Sequence, residues 1–196
     1  MTPLLSVSDL VAYRDEVALF SPTNFAVRLG DCLRITGRNG AGKTTLLECI
    51  AGLYDNWSGS IHRPPGKISY LQQTSRYVRT LPLLKLSRLV DGFEESHYRQ
   101  LVENLDLEPR QNVLLALLSG GELQRARLLL SLLRHHSVLL LDEPFANIDI
   151  SSCRAIVGEL QRTRSHRATL IVTHPHDAND KLIGECLEYA LSSDQC

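Results

Sequence analysis

The sequence predicts an α/β fold built on a largely parallel sheet, and two observations carry that expectation. Three short apolar segments, residues 32–36, 137–141 and 168–173, read as buried strands, being β-rich or bounded by turn and helix-start signals. Helical patterns interleave with them. Residues 44–51 follow the first segment, and 151–164 separate the second from the third. Residues 122–134 precede the second, with Leu123, Ala126, Leu130 and Leu133 on one stripe. Alternation of this kind builds a parallel sheet with helices on both faces.

The remaining elements follow from local signals. Arg63-Pro64-Pro65-Gly66 reads as a hairpin turn between residues 60–62 and 67–71, which adds an antiparallel β edge. A last strand is expected around residues 185–190. The leucine-rich stretch 81–117 carries the acidic pair Glu94-Glu95 and no strand signal, so it reads as a helical insertion. With the following helix, a helical subdomain of about 81–135 is expected inside one domain covering 1–196.

Bulk properties exclude several classes. A formal net charge of -1 and 43% hydrophobic residues describe an ordinary globular chain with no basic field for nucleic acid or an anionic membrane surface. The longest apolar runs, 113–118, 128–133 and 138–141, fall short of the roughly 18 residues a membrane-spanning helix needs. No basic segment followed by an apolar region opens the chain, so cytoplasmic residence is expected. Five scattered cysteines, Cys32, Cys49, Cys153, Cys186 and Cys196, form no CxxC pair and are expected as reduced thiols rather than a disulfide framework or a zinc site.

Gly37-Arg38-Asn39-Gly40-Ala41-Gly42-Lys43-Thr44 satisfies the phosphate-loop pattern, between a predicted strand and a predicted helix. Its glycines let backbone N–H groups converge on phosphate oxygens at a helix N-terminus. Gly37, Asn39, Gly40, Ala41, Gly42, Lys43, Thr44 and Thr45 are the expected nucleotide-binding set, with Lys43 reaching the outer phosphates and Thr44 a Mg²⁺ ligand. The predicted core is therefore that of a phosphate-loop NTPase. The run Val138-Leu139-Leu140-Leu141 ends in Asp142-Glu143, and carboxylates at the end of a buried strand require a partner. Asp142 is expected to hold Mg²⁺ through water, and Glu143 to act as general base toward the attacking water.

Leu118-Ser119-Gly120-Gly121-Glu122-Leu123-Gln124 resembles the signature sequence of ABC ATPases, and the resemblance extends over nearly the whole chain. Ser119, Gly120 and Gly121 lie ahead of a helix and make a second anion-binding surface, while Ser119 and Glu122 read as a capping box. The resemblance implies a head-to-tail dimer, in which each signature closes on the nucleotide held by the partner's phosphate loop. It also implies that Tyr13 stacks on adenine, that Gln73 contacts Mg²⁺ and the lytic water (with Gln72 the alternative), and that His174 contacts the γ-phosphate. Phe145-Ala146-Asn147-Ile148-Asp149 resembles the D-loop, with Asn147 and Ile148 departing from the usual Ala and Leu. Pro175 stands where the family often has Asp, and His176 reads as a solvated loop residue rather than a metal ligand.

The resemblance implies an ATPase using ATP and Mg²⁺, working as a homodimer on the cytoplasmic face of the inner or plasma membrane and driving a separate transmembrane permease. No nucleic-acid partner is expected. Val78-Arg79-Thr80-Leu81-Pro82-Leu83 resembles a segment of zinc and manganese uptake ATPases, which points to metal-ion import. Leu83, Leu84, Leu86 and Leu89 are candidates for a groove that receives the permease, or for the core of the insertion. The alternatives are an ATPase of an assembly machine of the iron–sulfur cluster type, and a subunit of a haem or small-solute exporter.

Overall fold

The computed structural model describes residues 2–64, 68–72, 80–173 and 186–192. Its elements run β1 (Leu5–Arg14), β2 (Val17–Ala18), β3 (Thr23–Val27), β4 (Cys32–Thr36), α1 (Lys43–Ala51), β5 (Trp57–His62), β6 (Ser69–Leu71), α2 (Leu83–Ser87), α3 (Glu95–Asn104), α4 (Gly120–Leu132), β7 (Val138–Asp142), α5 (Ile150–Arg162), β8 (Ala168–Val172) and β9 (Leu187–Ala190). Short 3₁₀ turns at Glu108–Arg110 and Leu115–Leu117 link α3 to α4.

Five strands form one sheet in the order β6-β7-β8-β4-β9, every neighbouring pair parallel. Strand β7 shows why its sequence is a continuous apolar run. Leu139 and Leu141 pack into one core with α4 and α5, whereas Val138 and Leu140 pack into another with Leu46, Leu47 and Ile50 of α1. A strand buried on both faces has no polar alternation to display. The parallel register also puts the C-terminal ends of β4, β6, β7 and β8 on one edge, where crevices of such sheets bind ligands.

A second, antiparallel sheet pairs β1 with β2, β3 and β5. Strand β1 carries a bulge: its register against β5 shifts between Ser8 and Val11, and against β3 between Val7 and Leu10. Asp9 sits in the bulge at φ 48°, and Asn24 satisfies it twice. The Asn24 side-chain oxygen accepts from the Asp9 N–H at 2.9 Å, and its amide donates to the Asp9 carboxylate at 3.0 Å. The bulged backbone presses on Gly59 of β5, where a Cβ atom would lie 2.3 Å from the Asp9 carbonyl oxygen.

Two sequence expectations are corrected. Residues 60–62 and 69–71 do not form a hairpin. Strand β5 pairs with β1 in the antiparallel sheet, and β6 pairs with β7 in the parallel one, so Arg63-Pro64 is a crossing between sheets. Arg63 anchors this crossing by donating to the carbonyls of Ile50 and Cys49 at the end of α1. Cys32 and Cys186 are not separate thiols: they form a disulfide with Cα atoms 4.8 Å apart, within the usual span. They lie 154 residues apart in sequence. The parallel pairing of Leu33 with Leu187 nevertheless places them side by side at the start of β4 and β9. Cys49 and Cys153 are free and buried, and burial pushes the Cys49 thiol up to about 12, leaving it unreactive. Cys196 lies outside the described residues.

Gly59→Ala is expected to destabilise the fold by about 2–4 kcal/mol, because a side chain at φ 96° is strained and its Cβ collides with backbone that cannot retreat. Urea unfolding of the two proteins checks this, with Gly52→Ala as a comparison at a positive φ with open space around it.

Candidate nucleotide-binding site

Strand β4 ends at Thr36, and the chain then wraps through Gly37 to Gly42 before entering α1. Gly42 is the N-cap of α1 at φ 86°, so no side chain caps the helix, and no acidic residue occupies its first turn. The first N–H groups of α1 therefore lack a side-chain acceptor, and the helix dipole favours an anion there. A side chain at residue 42 would meet Phe20 at 2.7 Å, so the turn closes tightly only with glycine. Lys43 is 7% exposed, and its Nζ donates to the carbonyls of Gly37 at 2.8 Å and Arg38 at 3.0 Å. A cavity of about 440 Å³ opens over this loop, lined by Arg14, Leu19, Asn39, Gly40, Ala41, Gly42, Lys43, Thr44, Thr45 and Glu143.

Asp142 ends β7 and is fully buried. Neither carboxylate oxygen has a hydrogen-bond partner among the described residues. Burial pushes its pKa up to about 6, with Glu143 adding repulsion; the nearby Thr44 hydroxyl and Lys43 offset part of this. The Thr44 hydroxyl lies close enough to act on the carboxylate without completing a hydrogen bond. A buried carboxylate lacking a donor, beside a hydroxyl and facing an anion-binding loop, fits a hard divalent cation with oxygen ligands. Glu143 follows at φ 50°, a backbone conformation rare for a non-glycine residue. Its N–H donates to the Val172 carbonyl of β8, which fixes the turn.

The signature segment is locally built as its sequence suggests. Ser119 caps α4 in a complete capping box, with the Glu122 carboxylate accepting from the Ser119 N–H at 2.8 Å. Arg110 donates to the other Glu122 oxygen at 2.6 Å, and with the Ser119 contacts it draws the Glu122 pKa down to about 2. Two links from this segment to the residues that follow β7 were not read from the sequence. The Gln124 amide reaches the carbonyls of Glu143 and Pro144 at 3.4 Å each. Gly121 faces the Asn147 carbonyl so closely that a Cβ there would lie 3.0 Å away. Asp149 caps α5, accepting from the Ser152 N–H at 2.9 Å and from the Ser151 and Ser152 hydroxyls, which hold its pKa far below the carboxylate range.

The cavity gathers the phosphate-loop residues with Glu143, and Asp142 lies beneath it next to Thr44. Tyr13 is not among the lining residues. Its hydroxyl meets the Ser58 hydroxyl of β5 at 3.1 Å, whereas its neighbour Arg14 lines the cavity. Successive residues of a strand point to opposite faces, so Tyr13 and Arg14 face different ways. Gly37 supplies a carbonyl to Lys43 rather than a wall of the cavity. Gln72 ends the described part of the β6 edge; Gln73, His174, Pro175 and His176 lie outside the described residues.

The sheet order and this loop define a phosphate-loop nucleotide-binding protein. Residues 20–146 match the family described as ABC transporter, and the chain belongs to that family. It is 33% identical over 155 residues to the zinc import ATP-binding protein ZnuC of Pseudomonas savastanoi pv. phaseolicola, covering 78% of this chain and 58% of that protein. It is 30% identical to the aliphatic sulfonates import ATP-binding protein SsuB 2 of Pseudomonas syringae pv. tomato, covering 81% of this chain and 69% of that protein. A solved structure of an ATP-binding subunit of an ABC transporter superposes with a TM-score of 0.84 at 24% identity, over 96% of this chain and 86% of that one, which shows the shared fold. No helix among the described residues is long and apolar enough to cross a membrane.

The raised pKa of Asp142 has a defined sign in stability. The protonated form is favoured in the fold, so the contribution is fully present below the unfolded pKa and is lost as pH rises through about 6. Without nucleotide or divalent metal, Asp142→Asn is expected to be indistinguishable from wild type near pH 4 and more stable by about 3 kcal/mol above pH 6.5. Urea unfolding in chelator across this range checks the difference; a constant offset at all pH values refutes the buried ionisation.

Proposed function

We propose that this chain is the ATP-binding and ATP-hydrolysing subunit of an ABC importer. It works as a head-to-tail homodimer that drives a separate transmembrane permease from the cytoplasmic face of the membrane. The observation that carries the reading is the orphaned Asp142 carboxylate set beside Glu143 at the edge where the phosphate loop emerges. In this reading the backbone of residues 37–45 and the Lys43 ammonium bind the phosphates, and Arg14 and Leu19 frame the base, the guanidinium plane suiting an aromatic ring. Thr44, Asp142 and Gln73 would hold Mg²⁺, which would supply charge neutralisation on the phosphate oxygens. Glu143 takes the proton of the attacking water, His174 orients the γ-phosphate, and the partner's signature segment completes the site.

Metal-ion import of the zinc class is the substrate reading, supported by the zinc-import relative and by Thr80-Leu81-Pro82-Leu83. Import of an organic anion is the second reading, favoured by the sulfonate-import relative. For the permease contact, Leu89 is 70% exposed, while Leu83 is fully buried and Leu84 and Leu86 pack on the core, so of the four leucines Leu89 is the one offered outward.

Glu143→Gln is expected to lower ATP turnover by roughly 10²–10⁴-fold while leaving ATP binding intact and accumulating an ATP-bound dimer in size-exclusion chromatography. Unchanged turnover removes Glu143 as the base. Arg14→Ala is expected to weaken nucleotide affinity by roughly fivefold, a loss of about 1 kcal/mol, and Tyr13→Phe to leave it unchanged. Calorimetric titration with a non-hydrolysable ATP analogue compares them, and the reverse order restores Tyr13 as the base-stacking residue. Purification of the tagged chain from detergent-extracted membranes tests the importer reading. A stoichiometric multi-span partner supports it, and only cytosolic partners point to an assembly machine.

A further inference from the structure

Strand β9 ends the parallel sheet beside β4, and its own side chains contribute little to holding it there. Leu187, Glu188 and Ala190 are exposed, and Tyr189 is half-buried against Phe25, with ring centroids 5.4 Å apart. Backbone pairing with β4, the Arg34–Glu188 ion pair at 3.1 Å and a bond from the Asn24 N–H to the Tyr189 hydroxyl at 3.3 Å add to this. A segment that buries so little apolar surface belongs to the part of a fold that opens first.

The two ends of this strand are fixed in different ways. Before it, Cys186 is bonded to Cys32. After it, Leu191 is 5% exposed in the core shared with α1. The Leu191 N–H donates to the Thr36 carbonyl at 2.8 Å, and its own carbonyl faces Gly37 so closely that a Cβ there would lie 2.8 Å away. The Ser192 carbonyl accepts from the Ser21 N–H at 3.0 Å, next to Phe20, the ring that closes on Gly42. Strand β9 is thus a strap with a disulfide at one end and the root of the phosphate loop at the other.

The disulfide is placed where it can be exchanged. Both cysteines are only partly buried, and accessible disulfides are the labile ones. On the cytoplasmic face proposed above, thiols are kept reduced, and the disulfides that do form are mostly transient, catalytic or redox-sensing.

We infer that Cys32 and Cys186 form a thiol switch on nucleotide binding, acting through the β9 strap; this rests on the reading of residues 37–45 as the nucleotide site. A dithiol reductant attacks one sulfur as thiolate to give a mixed disulfide, and its second thiolate displaces it. Two electrons and two protons pass to the cysteines, which become thiols, while the reductant becomes a disulfide. Oxidised glutathione reverses the step and leaves as two molecules of glutathione. Without the cross-link β9 keeps only its sparse contacts, opens more often, and takes Leu191 away from Gly37.

The test uses the full chain carrying Cys196→Ser, so that Cys32 and Cys186 respond while Cys49 and Cys153 stay buried. It is oxidised with oxidised glutathione or reduced with dithiothreitol. Without nucleotide, amide hydrogen exchange across residues 187–192 is expected to be roughly tenfold faster in the reduced form, with β7 unchanged. Affinity for a non-hydrolysable ATP analogue, read by calorimetric titration, is expected to fall roughly three- to tenfold on reduction. Cys32→Ser is expected to match the reduced form in both reagents; Cys186→Ser takes its place if Cys32→Ser fails to fold. Failure of oxidised glutathione to join the pair overturns the proposal, as does equal exchange or equal nucleotide affinity in the two forms, or a response to dithiothreitol that persists in Cys32→Ser. If neither form binds nucleotide, the reading of the loop fails by itself, and the exchange comparison decides the strap.

Discussion

The parallel register of β4, β7 and β8 is the constraint on which the rest depends. Because all three strands run the same way and both faces of β7 are packed, the polar groups that this sheet gives to the nucleotide cavity emerge at one edge, while Arg14 reaches it from β1 of the antiparallel sheet. The phosphate loop leaves β4 there, and Asp142-Glu143 leave β7 there. The same packing that makes β7 apolar strips Asp142 of water and of donors. The fold thereby holds a carboxylate whose charged form is disfavoured, and its ionisation and the stability of the fold are coupled.

The carboxylates of Glu122 in α4, Asp142 at the end of β7 and Asp149 at the start of α5 meet different fates, and the differences are local. Glu122 is ionised and held by Arg110 and the Ser119 backbone; Asp149 is ionised and held by two serines and a helix end. Asp142 has no such support, and burial shifts it the other way. The first two are structural charges that are already satisfied. Asp142 is the one left without a donor, which sets it apart from the two capping acids without reference to motif.

Much of this was legible in the chain. The strands β4, β7 and β8, the helices after and between them, the phosphate loop and the capping box follow from apolar runs, helix periodicity and short motifs whose physics is local. What escaped was non-local. The antiparallel sheet was reduced to an edge because the bulge at Asp9 breaks the alternation of β1, and its companion Gly59 reads in isolation as a turn residue. The false hairpin arose because Pro64 marks a change of direction equally well within a sheet and between two. Cys32 and Cys186 meet only through β4–β9 pairing, and nothing local in the sequence marks Arg14 as a residue that lines the cavity. Gln124 and Gly121 had no signal beyond the signature itself, since their partners are backbone carbonyls on a distant segment.

That last point bears on how freely the two loops can diverge in sequence. Gly121 rests on the carbonyl of residue 147, not on its side chain, and residue 147 sits at φ 59°, where asparagine is one of the few non-glycine residues at ease. The close approach between residues 121 and 147 is thus made by main chain on one side and by the absence of a side chain on the other. An exchange of alanine for asparagine at 147 preserves the contact and relaxes the backbone. A changed side chain at 147 therefore leaves this joint untouched while a side chain added at Gly121 presses on main chain at 3.0 Å, an asymmetry that a comparison of side chains alone would read the wrong way round.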